Sequence, residues 1–172
     1  MHDEDDLKWL IAREIPHLRR YAAVLVGEPH RVDDLVQDCL ERALRKRHLW
    51  RRQGRLRSWL FRLLYRQHVD SGRRGSRRRE VTDAAAAELA TIQPPRQEHM
   101  VQVRDIATAL RRLPVEQRAA ILLVGLDGLS YEEAAQVLDV PVGTLRSRLS
   151  RGRDALRDGW RPAAQSALRR VK

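Results

Sequence analysis

"LSYEEAAQVLDVPVGTLRSRLSRGRDALR", Leu129 to Arg157, is the stretch whose reading decides the fold. Ser130 followed three residues on by Glu133 is a capping box, which opens a short helix by satisfying its first backbone donors from both side chains. Ala134, Val137 and Leu138 then fall on one face, and the small Ala134 lets a second helix approach closely. The tripeptide "DVP" at 139–141 turns the chain, and Pro141 suits a helix start because its missing N–H is not needed there. In the helix that follows, Leu145, Leu149, Gly152 and Leu156 recur at steps of four, three and four, one buried stripe. Cap, turn and stripe together are the grammar of a helix-turn-helix.

The opposite side of that second helix carries Arg146, Ser147, Ser150, Arg151 and Arg153, with Asp154 its one acidic residue. Arg offers a planar fork to guanine edges or phosphates, and Ser permits close approach, so this face suits a DNA major groove. A merely solvated basic helix is the competing reading, and it leaves the agreement of cap, turn and stripe unexplained. The whole chain leans the same way. Among 172 residues, 34 Lys plus Arg outweigh 23 Asp plus Glu, for a formal charge of +11. That favours a polyanionic partner, nucleic acid before an anionic membrane surface. Lys8, Lys46 and Lys172 are the only lysines; the arginine bias is equally what a GC-rich coding sequence gives.

Working back toward the N-terminus, "DDLVQDCLERALRKRHL" (33–49) repeats apolar pairs, Leu35 with Val36, Cys39 with Leu40 and Ala43 with Leu44, and predicts an amphipathic helix. Asp34 and Gln37 fit a capping box at its start, and Arg45, Lys46 and Arg47 suit its C-terminal end. Leu7 to Val26 gives another helical pattern, with Pro16 expected to kink or break it and "GEPHR" to turn the chain. After Gly54, Leu56, Trp59, Leu60, Leu63 and Leu64 predict a third long helix ending near Gly72. The stretch "TDAAAAELATIQPPRQ" has few large apolar residues and a Pro-Pro pair, and reads as a linker. No strand pattern is visible. The expected fold is therefore all-α, two small helical domains joined by a flexible linker.

Several function classes find no support in the residues. Cys39 stands alone, so neither an intrachain disulfide nor a thiolate cluster is available, and the six histidines show no metal-ligand spacing. No nucleophile triad, phosphate loop or carboxylate cluster is visible; the acidic run Asp3 to Asp6 is most simply a helix start. Catalytic residues, a cofactor, a metal and a small-molecule substrate are accordingly not expected. The acidic start "MHDEDDLKWL" lacks the apolar core of a signal peptide, and no apolar run reaches the roughly 20 residues of a membrane span. A reduced, cytoplasmic, soluble protein without membrane insertion is the expectation.

A helix-turn-helix alone leaves repressor, activator and initiation factor open. "VDDLVQDCLERALRKR", then "LRSWLFRLLYRQHVDSGRRGSRR", then a linker and "LRRLPVEQRAAILLVGLDGLSYEEAAQVLDVPVGTLRSRLSRGRDALR" resembles the extracytoplasmic-function (ECF, group IV) sigma factors of the primary-sigma superfamily. The resemblance covers about Leu7 to Leu156, and the two motifs in this order are highly specific. It implies region 2 at 1–78, a linker at 79–99, region 4 at 100–160 and a tail at 161–172. It also implies core RNA polymerase, promoter DNA and an anti-sigma factor as partners, and melting of the −10 element without covalent chemistry.

The resemblance carries roles onto matching positions. Asp34, Gln37 and Asp38 would meet polymerase; an acidic exposed face in so basic a chain would repel DNA and suit a protein partner. The loop from Leu49 to Arg57 would capture a flipped −10 base, with Arg55, Arg62, Arg66, Arg73 and Arg74 supplying charge to the strand. Trp59 and Phe61 match family aromatics, Trp59 reading as core rather than as a stacking platform. Arg66 departs from the Asn frequent in relatives, while Asp70 is retained. Arg146, Ser147, Ser150 and Arg151 would read the −35 element, and Arg148 and Arg153 hold phosphates. Ser150 replaces a larger residue common there, and Asp139 replaces a turn glycine, a conformation Asp tolerates better than most. Two rivals remain in view. A helix-turn-helix regulator without polymerase docking leaves the "DLVQ" half unexplained. An adaptor that mimics a sigma factor to sequester an anti-sigma factor would be expected to carry a receiver domain, for which the chain is short, and to lack the basic surface.

Overall fold

The apolar spacing becomes seven helices among the described residues. A computed structural model describes residues 2–47, 50, 55–76 and 105–159, and no strand occurs among them. The first half holds α1 (His2–Val26), α2 (Pro29–Arg45) and α3 (Leu56–Ser76). The second holds α4 (105–111), α5 (Val115–Ile121) running on into a π-helical turn (Leu122–Leu126), α6 (Tyr131–Leu138) and α7 (Val142–Gly159). The segment 79–99 and the tail 161–172 lie outside the described residues.

Three local expectations are corrected. α1 runs unbroken through Pro16. A proline there removes one helical hydrogen bond and costs about 3 kcal/mol, but Pro16 faces solvent while Leu7, Ile11, Leu18, Tyr21, Ala22 and Leu25 share one buried stripe on both sides of it. Burying several such side chains at about 1.5–3 kcal/mol each outweighs the local cost. α2 begins at Pro29, with Glu28 extended at its cap and making no side-chain cap bond, so Asp34 and Gln37 are not a capping box but sit inside the helix. Pro29 opens it because its fixed φ already matches the first helical position. α3 continues past Gly72 to Ser76.

In the first half, Leu60, Phe61 and Leu64 of α3 meet Cys39 and Val36 of α2 and the stripe of α1 in one core. Tyr21 and Phe61 are tilted ring to ring at 5.0 Å between centroids. Trp59 is half-buried against this core, the structural reading of the two offered by sequence. The Cys39 thiol donates to the Leu60 carbonyl at 3.5 Å, and burial pushes its pKa up to about 12, so it is held as an unreactive thiol.

The second half is organised around Gly152. A Cβ at that position would lie 2.7 Å from Ile121 Cδ1, so glycine is what lets α7 lie directly on α5. Leu145 and Leu149 of α7 and Ala134, Val137 and Leu138 of α6 are buried with it.

The two helical domains pack directly on each other. Their buried side chains form one continuous cluster, with α6 packed on α3 and α5 on α1. Arg118 of α5 reaches across: Nη1 donates to the Leu25 carbonyl at 2.8 Å and the Val24 carbonyl at 3.5 Å, while Nη2 donates to the Arg111 and Leu113 carbonyls at 2.8 and 2.9 Å. One guanidinium thus satisfies two of the C-terminal carbonyls of α1, which the helix itself leaves without partners. Beyond them Gly27 turns at φ +89°, and a Cβ there would press Arg111 Cδ at 3.2 Å.

The π-helical turn aims Asp127 at α1. Its side chain is wholly buried, with Oδ1 3.4 Å from Arg20 Nη2 and 3.5 Å from His17 Nδ1. Arg57 continues the chain of contacts, donating to Glu14 at 2.6 Å and facing His17 Nε2 at 3.0 Å. Burial pushes the Asp127 carboxyl up, against the pull of Arg20 and His17.

Candidate nucleic-acid and polymerase interface

The recognition helix is built as its sequence predicts. Ser130 Oγ accepts the Glu133 N–H at 3.1 Å and Glu133 Oε2 accepts the Ser130 N–H at 3.0 Å, the reciprocal capping box. Asp139 ends α6 in the left-handed conformation, φ 58° and ψ 49°, and α7 starts directly after Pro141. Leu145 and Leu149 point inward, while Arg146, Ser147, Ser150, Arg151 and Arg153 are exposed; Arg148 is half-buried.

That exposed face is pre-ordered by its own neighbours. Arg151 donates from Nε to the Ser147 carbonyl at 3.2 Å and from Nη2 to Ser147 Oγ at 3.3 Å. Ser147 Oγ in turn donates to the Thr144 carbonyl at 2.9 Å. Arg146 lies over the Tyr131 ring at 5.7 Å, a cation–π contact that links α7 to α6. Asp154 takes Ser150 Oγ at 3.5 Å and Arg157 at 3.1 Å. Tyr131, Arg146, Ser150, Arg153, Asp154 and Arg157 line a shallow depression of about 270 Å³ along this face. Tyr131 and Arg157 escape the sequence reading; Arg157 stands one turn beyond Arg153 on the same helix, whereas Tyr131 comes from α6 and only the packing of the two helices brings it to this face.

α2 turns a different chemistry outward. Asp33, Asp34, Gln37, Asp38 and Glu41 are all exposed and share its outer side. Gln37 donates to Glu41 at 3.4 Å, and Arg19 of α1 pairs with Asp33. A patch of this sign repels phosphate and attracts a basic protein surface.

The third group of sequence-selected residues is met by acid. Arg55 lies 3.3 Å from Glu133, Arg62 3.2 Å from Asp139, and Arg66 2.9 Å from the other oxygen of Asp139. Asp70 is exposed one turn further on. Arg73 and Arg74 fall near the end of α3 with side chains outside the described residues, as do residues 51–54 of the loop read as a base trap. Among the described residues no three His, Cys, Asp or Glu side chains gather to hold a metal, and no helix is long and apolar enough to cross a membrane.

A helical half with an acidic exposed face, joined to a helix-turn-helix with a basic one, fits a DNA-binding transcription factor that also meets a protein. Residues 11–65 match the Sigma2 domain of PhyR and residues 104–156 match Sigma-70, region 4. The chain is 39% identical to the ECF RNA polymerase sigma factor EcfG of Rhodopseudomonas palustris, over 88% of this chain and 83% of that protein. It is 33% identical to the ECF RNA polymerase sigma-E factor of Escherichia coli K12, over 76% of this chain and 74% of that one. The sigma factor RpoE of Bartonella quintana, solved in complex with the anti-sigma factor NepR, superposes with a TM-score of 0.72 at 30% identity, covering 89% of this chain and 95% of that one. The chain belongs to the ECF RNA polymerase sigma factors. Its function is that of an alternative sigma factor, and the reading as a regulator independent of polymerase is set aside.

Proposed function

We propose that this chain is a group IV sigma factor in which 1–78 acts as region 2, 79–99 as linker, 100–160 as region 4 and 161–172 as tail. Asp34, Gln37 and Asp38 dock on core RNA polymerase. Arg55, Arg62, Arg66, Arg73 and Arg74 hold the opened −10 strand. Arg146, Ser147, Ser150 and Arg151 read the −35 element from the major groove, with Arg148 and Arg153 on phosphates. The protein works in the cytoplasm beside polymerase, performs no covalent chemistry of its own and is restrained by an anti-sigma factor. The observation that carries this reading is the sign reversal within one family-matched chain: exposed carboxylates on α2, exposed guanidiniums on α7.

The test is binding of the purified protein to core polymerase in competition with the housekeeping sigma factor. Wild type is expected to displace it, and Asp38→Arg to bind about tenfold more weakly while folding and duplex binding by α7 persist. Unchanged polymerase affinity in Asp38→Arg removes the docking assignment. Absence of polymerase binding by a folded, partner-free sample would overturn the reading.

A further inference from the structure

Asp154 is the only carboxylate between Val142 and Arg157, and it stands inside the basic face of α7 rather than beside it. At 3.6 residues per turn its direction falls between those of Ser147 and Ser150, one turn beyond Ser150 and Arg151. It lies about 10 Å along the helix from Ser147, roughly three base-pair steps of a duplex. Its side chain is 54% exposed. A carboxylate there repels the phosphates that the neighbouring arginines attract. Charge complementarity alone gives an acid no place on this face.

The two oxygens of Asp154 are divided. Oδ1 accepts from Arg157 Nη1 at 3.1 Å, and Oδ2 faces Ser150 Oγ at 3.5 Å. The first contact orients the carboxylate, although an exposed pair three residues apart adds little stability of its own. The second is at the outer limit of a hydrogen bond, so Oδ2 keeps its capacity to accept. Ser150 and Asp154 both line the shallow depression beside α6, and the short serine leaves it unfilled.

In a major groove the hydrogen-bond donors are the exocyclic amines of cytosine and adenine, whereas guanine presents N7 and O6 and thymine presents O4 as acceptors. Arg146 and Arg151 only donate, and Ser147 and Ser150 do either. Asp154 accepts and cannot donate, which sets it apart from the other side chains of this face. We propose that Asp154 is a specificity-determining residue: its carboxylate accepts from the exocyclic amine of a cytosine or an adenine at one position of the −35 element, and sets acceptor against acceptor when guanine or thymine stands there. This rests on the reading of α7 as the helix that reads that element. Asp154 thereby adds selection against two bases to a face whose arginines select for guanine.

The test is selection of duplexes from a randomised library by the full chain, followed by fluorescence anisotropy on the enriched duplex and its single-base-pair variants at fixed salt. Wild type is expected to enrich cytosine or adenine at a position that stays selected in Arg151→Ala. Asp154→Ala is expected to lose that preference alone: discrimination against guanine and thymine there falls about fivefold or more, while the other positions and the melting temperature hold. Asp154→Asn, whose amide also donates, is expected to admit guanine or thymine at the same position. Asp158→Asn removes an exposed carboxylate one turn further along α7 and is expected to leave every preference as it is. If Asp154→Ala keeps all the wild-type preferences, or binds every duplex more tightly by one common factor, Asp154 only repels phosphate and the inference is overturned. If wild type itself enriches no sequence, the reading of α7 as the helix that reads the −35 element fails, and the inference falls with it.

Discussion

α3, with the arginine just before it, and α7 carry arginines at the same spacing, and the structure treats them oppositely. Arg55, Arg62 and Arg66 stand seven and four residues apart; so do Arg146, Arg153 and Arg157. On α7 the guanidiniums lean on their own or the adjoining helix, Arg157 on Asp154 and Arg146 on the Tyr131 ring, and the face stays open. On α3 they are covered by acid from the other half of the chain. Periodicity identifies a basic stripe; what covers it depends on contacts seventy or more residues away. One site is displayed and the other withheld.

That contrast is broken most severely at Arg118. Its guanidinium serves four carbonyls on three segments, including the end of α1. Arg118→Ala leaves those acceptors without a charged donor and is expected to destabilise the protein by about 2–3 kcal/mol. Chemical denaturation measures the loss. The expected signature is loosened packing between the halves, seen as faster hydrogen exchange at the C-terminal end of α1 and across α3, while α7 retains its protection. Uniform loss of protection across α3 and α7 would mean that the halves do not part at this joint.

The displayed face gives a smaller and more local effect. Arg151→Ala is expected to cost about 1–3 kcal/mol at the −35 element if Arg151 reads a base, and to relax preference at that one position. Fluorescence anisotropy against duplexes altered one base pair at a time separates this from a phosphate contact, which weakens every sequence alike. Arg151 is tied to Ser147, so it is already oriented along the face it would read.

How much of this is visible in sequence differs between the two arginine faces for a physical reason. The capping box at Ser130 and Glu133, the left-handed turn at Asp139 and the stripe of Leu145, Leu149 and Gly152 are all set by residues within a few positions of each other. Local chemistry therefore specifies the helix-turn-helix completely. Pro16 shows the limit: its local cost is real, but residues on both sides of it share one core and the helix runs through. The start of α2 shows another, since Pro29 fixes it before Asp34 can cap. The joint between the halves is hidden for a third reason. Nothing near Asp127 marks it as buried against His17 and Arg20, and nothing near Asp139 names Arg62 and Arg66. The family resemblance placed Arg62 and Arg66 in a nucleic-acid site, and it had no means of placing a carboxylate between them.

The gentlest way to sharpen the comparison is through pH, because α3 carries a titrating group at the joint. His68 has its pKa lowered to about 4 by burial, and by the nearby charges of Arg31 and then Arg118. An unfolded histidine titrates near 6.5. As pH falls from about 6.5 toward about 4, the unfolded chain takes up a proton at His68 that the folded chain refuses, so stability is lost through that window and this loss levels off below it. Asp127, pushed up by burial, works in the opposite sense as it protonates, so the informative quantity is the difference between variant and parent. His68→Gln is expected to lose less stability than wild type between pH 7 and pH 4.5, read from urea midpoints at each pH, with the two converging above neutrality apart from a constant offset. Because Arg118 is one of the charges that lower His68, Arg118→Ala should also flatten the slope, and the double variant should show no further flattening beyond His68→Gln alone. Independent, additive slopes would remove Arg118 from the causes and leave burial and Arg31 to account for the shift.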